Sequence, residues 1–293
     1  MVALVMPTPS RQETMRGILY SLLAFLLFSV GNALSKWLVV RYSVIEIVAF
    51  RAVISLVPCL LLIAATGGTR LFRTSRIGGH AVRALLSFMA MTTIVYAFRL
   101  IPLADAVAVT FSAPLFITLL SAVTLGETIG GHRWAALFLG FAGVLVILQP
   151  GSGVLAGGAV FALASAMFGA VATISVRRLS LTEPSATIVF YQTSIVAVIA
   201  AAALPFLWVT PDWSDFGLLV LIGLVAGVGQ YFWTESCRLA HASAVAPIFY
   251  TQILWSTALG FLIWNDLPTG DTLIGGAIVI ASTFYIFYRE ASR

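Results

Sequence analysis

The chain has 293 residues, 60% of them hydrophobic and only 9% charged, with a formal net charge of +5. Soluble domains carry about 25% charged residues, so composition excludes an ordinary soluble globular protein and points to a polytopic helical membrane protein. The basic residues lie between apolar runs rather than in one patch, which excludes a nucleic-acid surface.

Taken in order, Met1 to Arg16 form a polar tail, read as disordered and cytoplasmic. The apolar run from Gly17 to about Leu38 is long enough to span a bilayer and is read as an uncleaved first helix. Further runs follow near 44–65, 81–98, 104–125, 134–148, 154–176, 187–208, 216–235, 242–263 and 272–288. A hydrocarbon core of about 30 Å needs roughly 20 helical residues, so the pattern predicts ten transmembrane helices. With the N-terminus placed inside, twelve arginines fall on inner segments: 11, 16, 70, 73, 76, 83, 133, 177, 178, 238, 289 and 293. Only Lys36, Arg41, Arg51 and Arg99 fall on the outer side. This positive-inside bias predicts that both termini, including 289–293, are cytoplasmic.

The chain repeats itself. Arg99–Glu127 moved forward by 139 residues falls without a gap on Arg238–Asp266, pairing Leu100 with Leu239 and Thr118 with Thr257. Gly17–Phe50 aligns with 157–190 in the same way. Residues 17–150 and 151–288 are therefore read as two five-helix copies. Five is odd, so the second copy enters from the opposite side. Inverted repeats of this kind place a substrate site near the midplane of a secondary transporter.

Uncharged polar residues within the spans are the candidates for that site. On one face of the fourth span lie Thr110, Pro114 and Thr118; Pro114 removes a backbone donor there. On the ninth, Pro247, Thr251 and Trp255 hold the equivalent stripe beside Gln252. Asn32, Thr92, Tyr96, Gln230 and Tyr231 complete the set, with Trp255 the expected cavity aromatic. Single Ser or Thr hydroxyls in a span often just bond the helix backbone, whereas a primary amide needs several partners. Glu235 and Arg238 sit three residues apart and read either as an interfacial ion pair or, with Pro114 and Pro247, as gating or coupling residues. Arg51 is read as snorkelling outward or pairing with Glu46. His80, His132 and His241 have no ligand spacing, and Cys59 and Cys237 read as free thiols, so neither metal nor cofactor is expected.

Arg99, Leu100, Ala104, Pro114, Leu125, Gly126 and Glu127, followed by a helix bearing Gly140 and Gly143, resemble the EamA type of the drug/metabolite transporter superfamily. Arg51 in FRAV matches the family's second helix, and in character the chain is similar to YddG-type bacterial amino-acid exporters. The second copy departs, with Asn265-Asp266 in place of Gly-Glu. The resemblance implies that spans five and ten pack between the halves and that one, three, four, six, eight and nine surround the cavity. The expected fold is all-α, two inverted five-helix repeats around a central cavity, in a bacterial inner membrane. The expected function is export of small metabolites, foremost amino acids and aromatic ones included, by alternating access. A neutral, aromatic-rich cavity disfavours phosphorylated cargo. The alternatives are an exporter of other drugs or metabolites, a channel, or an intramembrane enzyme, which lacks a nucleophile–base pair at depth. The partners expected are a small-molecule substrate and the lipid bilayer, without nucleic acid; a monomer fits the reading, and the sequence does not fix the oligomeric state.

Overall fold

The computed structural model describes residues 11–66, 68–125, 131–148, 155–239, 248–249 and 251–291; Pro247, Gly126, Glu127 and the tail to residue 10 lie outside them. Among the described residues there is no strand. The helices are α1 (Arg11–Leu38), α2 (Val44–Thr66), α3 (Ile77–Leu100), α4 (Leu103–Thr110), α5 (Ala113–Leu125), α6 (Gly131–Leu148), α7 (Leu155–Ser180), α8 (Ser185–Ala203), α9 (Trp213–Leu239), α10 (Thr251–Trp264) and α11 (Gly270–Ala291). Six are long and apolar enough to cross a membrane, in α1, α2, α3, α7, α8 and α9. Four shorter apolar stretches, Leu103–Ile117, Trp134–Ile147, Thr251–Trp264 and Gly270–Ser282, accompany them.

Two expectations about the helices are corrected. The first helix begins at Arg11 rather than Gly17, so the last residues of the polar tail are helical. The run 104–125 is not one helix: it breaks at Phe111–Ser112. Pro114 offers no N–H, and the chain tightens ahead of it, with Phe111 N–H donating to the Ala108 carbonyl and Ser112 N–H to Val109, each at 3.1 Å.

The helices interleave across the chain. α1 and α2 pack on α9, α2 also on α8, α3 on α7, and α6 on α11. Small residues allow the close approaches. A Cβ built at Gly227 of α9 would lie 2.6 Å from Pro58 Cγ and 3.0 Å from the Ser55 carbonyl oxygen of α2. One at Gly143 of α6 would lie 2.8 Å from the Gly275 carbonyl oxygen of α11. Such contacts matter in lipid, where the hydrophobic effect does not drive one helix onto another. The outward faces carry exposed Leu61, Phe138, Val198 and Leu262, a surface suited to acyl chains.

Two apolar clusters flank the middle of the bundle. One joins Phe98, Leu103, Phe111, Leu115, Leu137 and Val279; the other joins Leu38, Ile47, Val48, Leu219 and Ile222. The second borders a cavity through Ala52 and Val196.

Candidate functional site: a polar cavity between the halves

A cavity of about 260 Å³ lies where α1, α2, α3, α7, α8, α9 and α10 converge. Each helix brings a polar or small position to it: Asn32 from α1, Arg51 and Ser55 from α2, Ser87 from α3, Gly169 from α7, Gln192 and Thr193 from α8, Gln230 from α9 and Gln252 from α10. Phe28 and Met91 add apolar surface.

Of the residues singled out in the sequence, the structure brings together Asn32, Gln230 and Gln252. The other substrate-binding candidates whose side chains are described lie outside the lining set. Trp255 is 39% exposed, at the edge of the buried α10 face of Gln252, Ser256 and Gly260, and does not line the cavity. Tyr96 is also 39% exposed, and its ring packs against Phe161 at 4.6 Å. Tyr96, Tyr231 and Trp255, the aromatic side chains expected in the cavity, are absent from its lining, where Phe28 supplies the aromatic ring. Thr110 donates to the Val107 carbonyl at 2.6 Å, and Thr251 to the Ile248 carbonyl at 2.7 Å, each spending its proton within a helix turn. Thr92 and Tyr231 are partly buried outside the lining set. Pro114 stands just after the α4–α5 break, and Thr118 lies in α5.

Four polar lining residues went unnoticed in the sequence: Ser55, Ser87, Gln192 and Thr193. Gln192 was legible, because a primary amide in an apolar run had already marked Asn32, Gln230 and Gln252. Arg51 was noticed and misplaced. Glu46 precedes it by five residues, about 140° around a helix, so the two side chains face different ways. The Glu46 carboxylate instead accepts the Val209 N–H at 3.2 Å. Arg51 lines the cavity, and among the described residues no carboxylate pairs with it. The cavity is thus not neutral: among the described residues it carries a cation, Arg51.

Around that cation the α2 backbone is tied to α9. Ser55 Oγ donates toward the Arg51 carbonyl at 2.5 Å and the Gly223 carbonyl at 2.8 Å, which fixes the turn carrying Arg51 against the facing helix. Gln192 is 8% exposed, and its carbonyl oxygen is buried with no hydrogen-bond partner. A buried amide oxygen left in that condition costs about 1–3 kcal/mol, so it stands ready to accept a donor.

Both ends of the bundle are clasped. At one end Lys36 Nζ sits 3.2 Å from Asp266 Oδ2 and over the Trp264 ring at 5.2 Å. Asp105, 1% exposed, lies within electrostatic reach of that pair. Arg41 and Tyr42 both bond Asp215 Oδ2, at 3.0 and 2.8 Å. Burial, together with that bond, pushes the Tyr42 hydroxyl above its usual pKa. At the other end Ser21 Oγ meets Ser236 Oγ, and Arg238 Nη2 pairs with Glu235 Oε2 at 2.8 Å. That hydrogen bond raises the Arg238 guanidinium above its ordinary value. Glu235 and Arg238 lie outside the cavity lining and bond each other along one helix.

The sequence profile of the EamA-like transporter family matches the chain twice, over residues 15–149 and 156–288. The chain belongs to the EamA-like transporter family. It is thus a membrane transporter of the drug/metabolite superfamily rather than an enzyme. Among curated proteins it is 33% identical over 273 residues to a pseudopaline exporter of Pseudomonas aeruginosa, covering 91% of this chain and 94% of that one. It is 28% identical over 276 residues to an S-adenosylmethionine uptake transporter of Rickettsia prowazekii, covering 94% of each. A riboflavin transporter of Rhizobium johnstonii is 28% identical over 292 residues, covering 97% of this chain and 94% of that protein. A solved crystal structure superposes with a TM-score of 0.68 at 22% identity, covering 94% of this transporter and 97% of the other chain, and so shares its fold. Both segments that match the family line the transporter's cavity: Asn32, Arg51 and Ser87 come from the first, Gln192, Gln230 and Gln252 from the second.

Proposed function

We propose that this transporter exports small amino-acid-type metabolites, aromatic ones included, by alternating access across a bacterial inner membrane, with ten spans in two inverted halves and both termini cytoplasmic. The observation that carries it is the cavity at the seam, where four primary amides, Asn32, Gln192, Gln230 and Gln252, converge from both family-matched segments. Amides serve a zwitterion well, because each can donate to a carboxylate or accept from an ammonium. Ligand pockets for drug-sized molecules run from about 300 to 1,000 Å³, and a cavity of about 260 Å³ favours a smaller solute. A site between two halves is what rocking of one half against the other would expose in turn to each side. The positive-inside bias supports the orientation, and the likeness to a pseudopaline exporter supports outward movement.

Purified protein in liposomes, loaded with an unlabelled L-amino acid and presented with the labelled one, tests this directly. Trans-stimulated counterflow is expected for at least one amino acid in a panel of the twenty. No movement of any of them would overturn the cargo, and movement without trans-stimulation would make the protein a channel. Direction is read in cells, where loss of an exporter raises the internal amino-acid pool and loss of an importer lowers it.

A further inference from the structure

Two unpaired groups face the same cavity from adjoining helices. Arg51, on α2, is a cation with no carboxylate partner among the described residues. Gln192, on α8, has a carbonyl oxygen that is buried and accepts nothing. α2 and α8 pack directly together, and both side chains line one volume. They are complementary in chemistry as well: a guanidinium donates and carries charge, while an amide oxygen only accepts.

We propose that Arg51 and Gln192 form a head-group clamp for an α-amino acid, Arg51 taking the carboxylate and Gln192 Oε1 the ammonium. A charged side chain within a span is costly unless it meets protein, water or an ion of opposite sign. A structural counter-ion would have cancelled the charge, and Glu46, the acidic residue of α2, lies about 140° around the helix with one oxygen accepting the Val209 N–H. The substrate carboxylate supplies the missing anion. A guanidinium fork accepts a carboxylate through two parallel N–H···O bonds, which fixes orientation as well as charge. Ser55 braces this turn from below through its bonds to the Arg51 and Gly223 carbonyls. Thr193, one residue along α8, also lines the cavity and offers a hydroxyl beside the clamp. Phe28 and Met91, from α1 and α3, leave apolar room for a side chain. The clamp reads the head group and the apolar side sets the tail, so one site can serve several amino acids or a conjugate bearing an amino-acid head.

This deepens the amino-acid reading of the cavity and rests on it, so its test separates the two. The full-length protein in detergent is treated with phenylglyoxal, which attacks arginine guanidinium groups, and modification of Arg51 is followed by peptide mass spectrometry. L-phenylalanine is expected to slow that modification about tenfold relative to L-phenylalaninamide, since the acid alone can form the charge-assisted bonds. Equal protection by acid and amide, or none by any free L-amino acid tried, overturns the clamp. Protection of Arg51 by carboxylates with no counterflow of any amino acid would instead sink the cargo reading and leave the anion site standing.

Variants resolve the two ends of the clamp in counterflow competition. Arg51→Lys should keep the preference for phenylalanine over its amide, and Arg51→Gln should abolish it. Gln192→Leu should keep that preference while losing the discrimination between phenylalanine and 3-phenylpropionate, which lacks the ammonium. If Arg51→Gln does not fold, the modification experiment on the parent protein still decides. Preferences unchanged in both variants would overturn the assignment.

Discussion

Gln252 of α10 and Thr173 of α7 show why polar side chains within spans part company in function. Gln252 is 8% exposed and opens on the cavity. Thr173, one turn beyond Gly169 of the cavity wall, donates to the Gly169 carbonyl at 2.9 Å and is thereby satisfied within its own helix. Replacing Gln252 with Leu removes a hydrogen bond worth about 0.5–1.5 kcal/mol to whatever occupies the cavity, so half-saturation in counterflow should rise about 2- to 10-fold. Thr173→Val should leave it within about twofold, because the lost bond never reached the cavity. Equal effects of the two would show that lining position does not matter. The same distinction explains what the sequence disclosed. A primary amide has more hydrogen-bonding capacity than one helix turn can satisfy, so Asn32, Gln230 and Gln252 could be picked from composition. A hydroxyl finds the carbonyl three or four residues back, so Thr110 and Thr251 looked equally promising and were not. Arg51 was visible as a charge in a span, and its five-residue spacing from Glu46 already set the two on different faces; which helices surround it needed the packed structure.

Between elements, the clasp of α1 on the segment after α10 is a long-range ion pair. Lys36 is 12% exposed at its side chain and Asp266 37%, so the pair is partly screened by solvent. Half-exposed pairs contribute about 0.5–1 kcal/mol, and stacking of the ammonium over Trp264 adds to the Lys36 side of that figure. A double-mutant cycle with Lys36→Met and Asp266→Asn, read by thermal unfolding in detergent, should return a coupling near that size. Additive losses would mean that the two side chains do not act together. Asp105 beneath them makes the single Lys36→Met change the harsher one, because it strips a cation from beside two carboxylates. The break between α4 and α5 belongs to this scale as well. Pro114 was legible as a lost donor, yet the sequence pattern ran one apolar helix through it, since hydropathy is blind to two residues in a tight turn.

In the whole molecule, the most extensive packing joins the two family-matched segments to each other. α1 with α9, α3 with α7, α2 with α8, and α6 with α11 are all pairings between 15–149 and 156–288. The close approaches depend on the same crossing: Gly143 meets Gly275, and Gly227 meets Pro58. The repeat read from sequence explains why two such similar segments exist, but similarity alone would equally allow two independent five-helix bundles. Interleaving decides between them. Neither segment alone can cover the faces that its partner covers, and in lipid a small-residue face without its partner has lost the packing that held it. Cutting the chain within 149–154, between the matched segments, therefore makes a sharp test. Each half expressed alone should fail to give a monodisperse species in detergent. The two expressed together, with a tag on one, should copurify and recover counterflow, because each cavity wall needs both: Asn32 and Arg51 from the first, Gln192, Gln230 and Gln252 from the second. A half that is stable and helical by itself would show that the seam is a docking surface between finished domains. In that case the cavity would open by separation of two bodies rather than by sliding of interleaved helices.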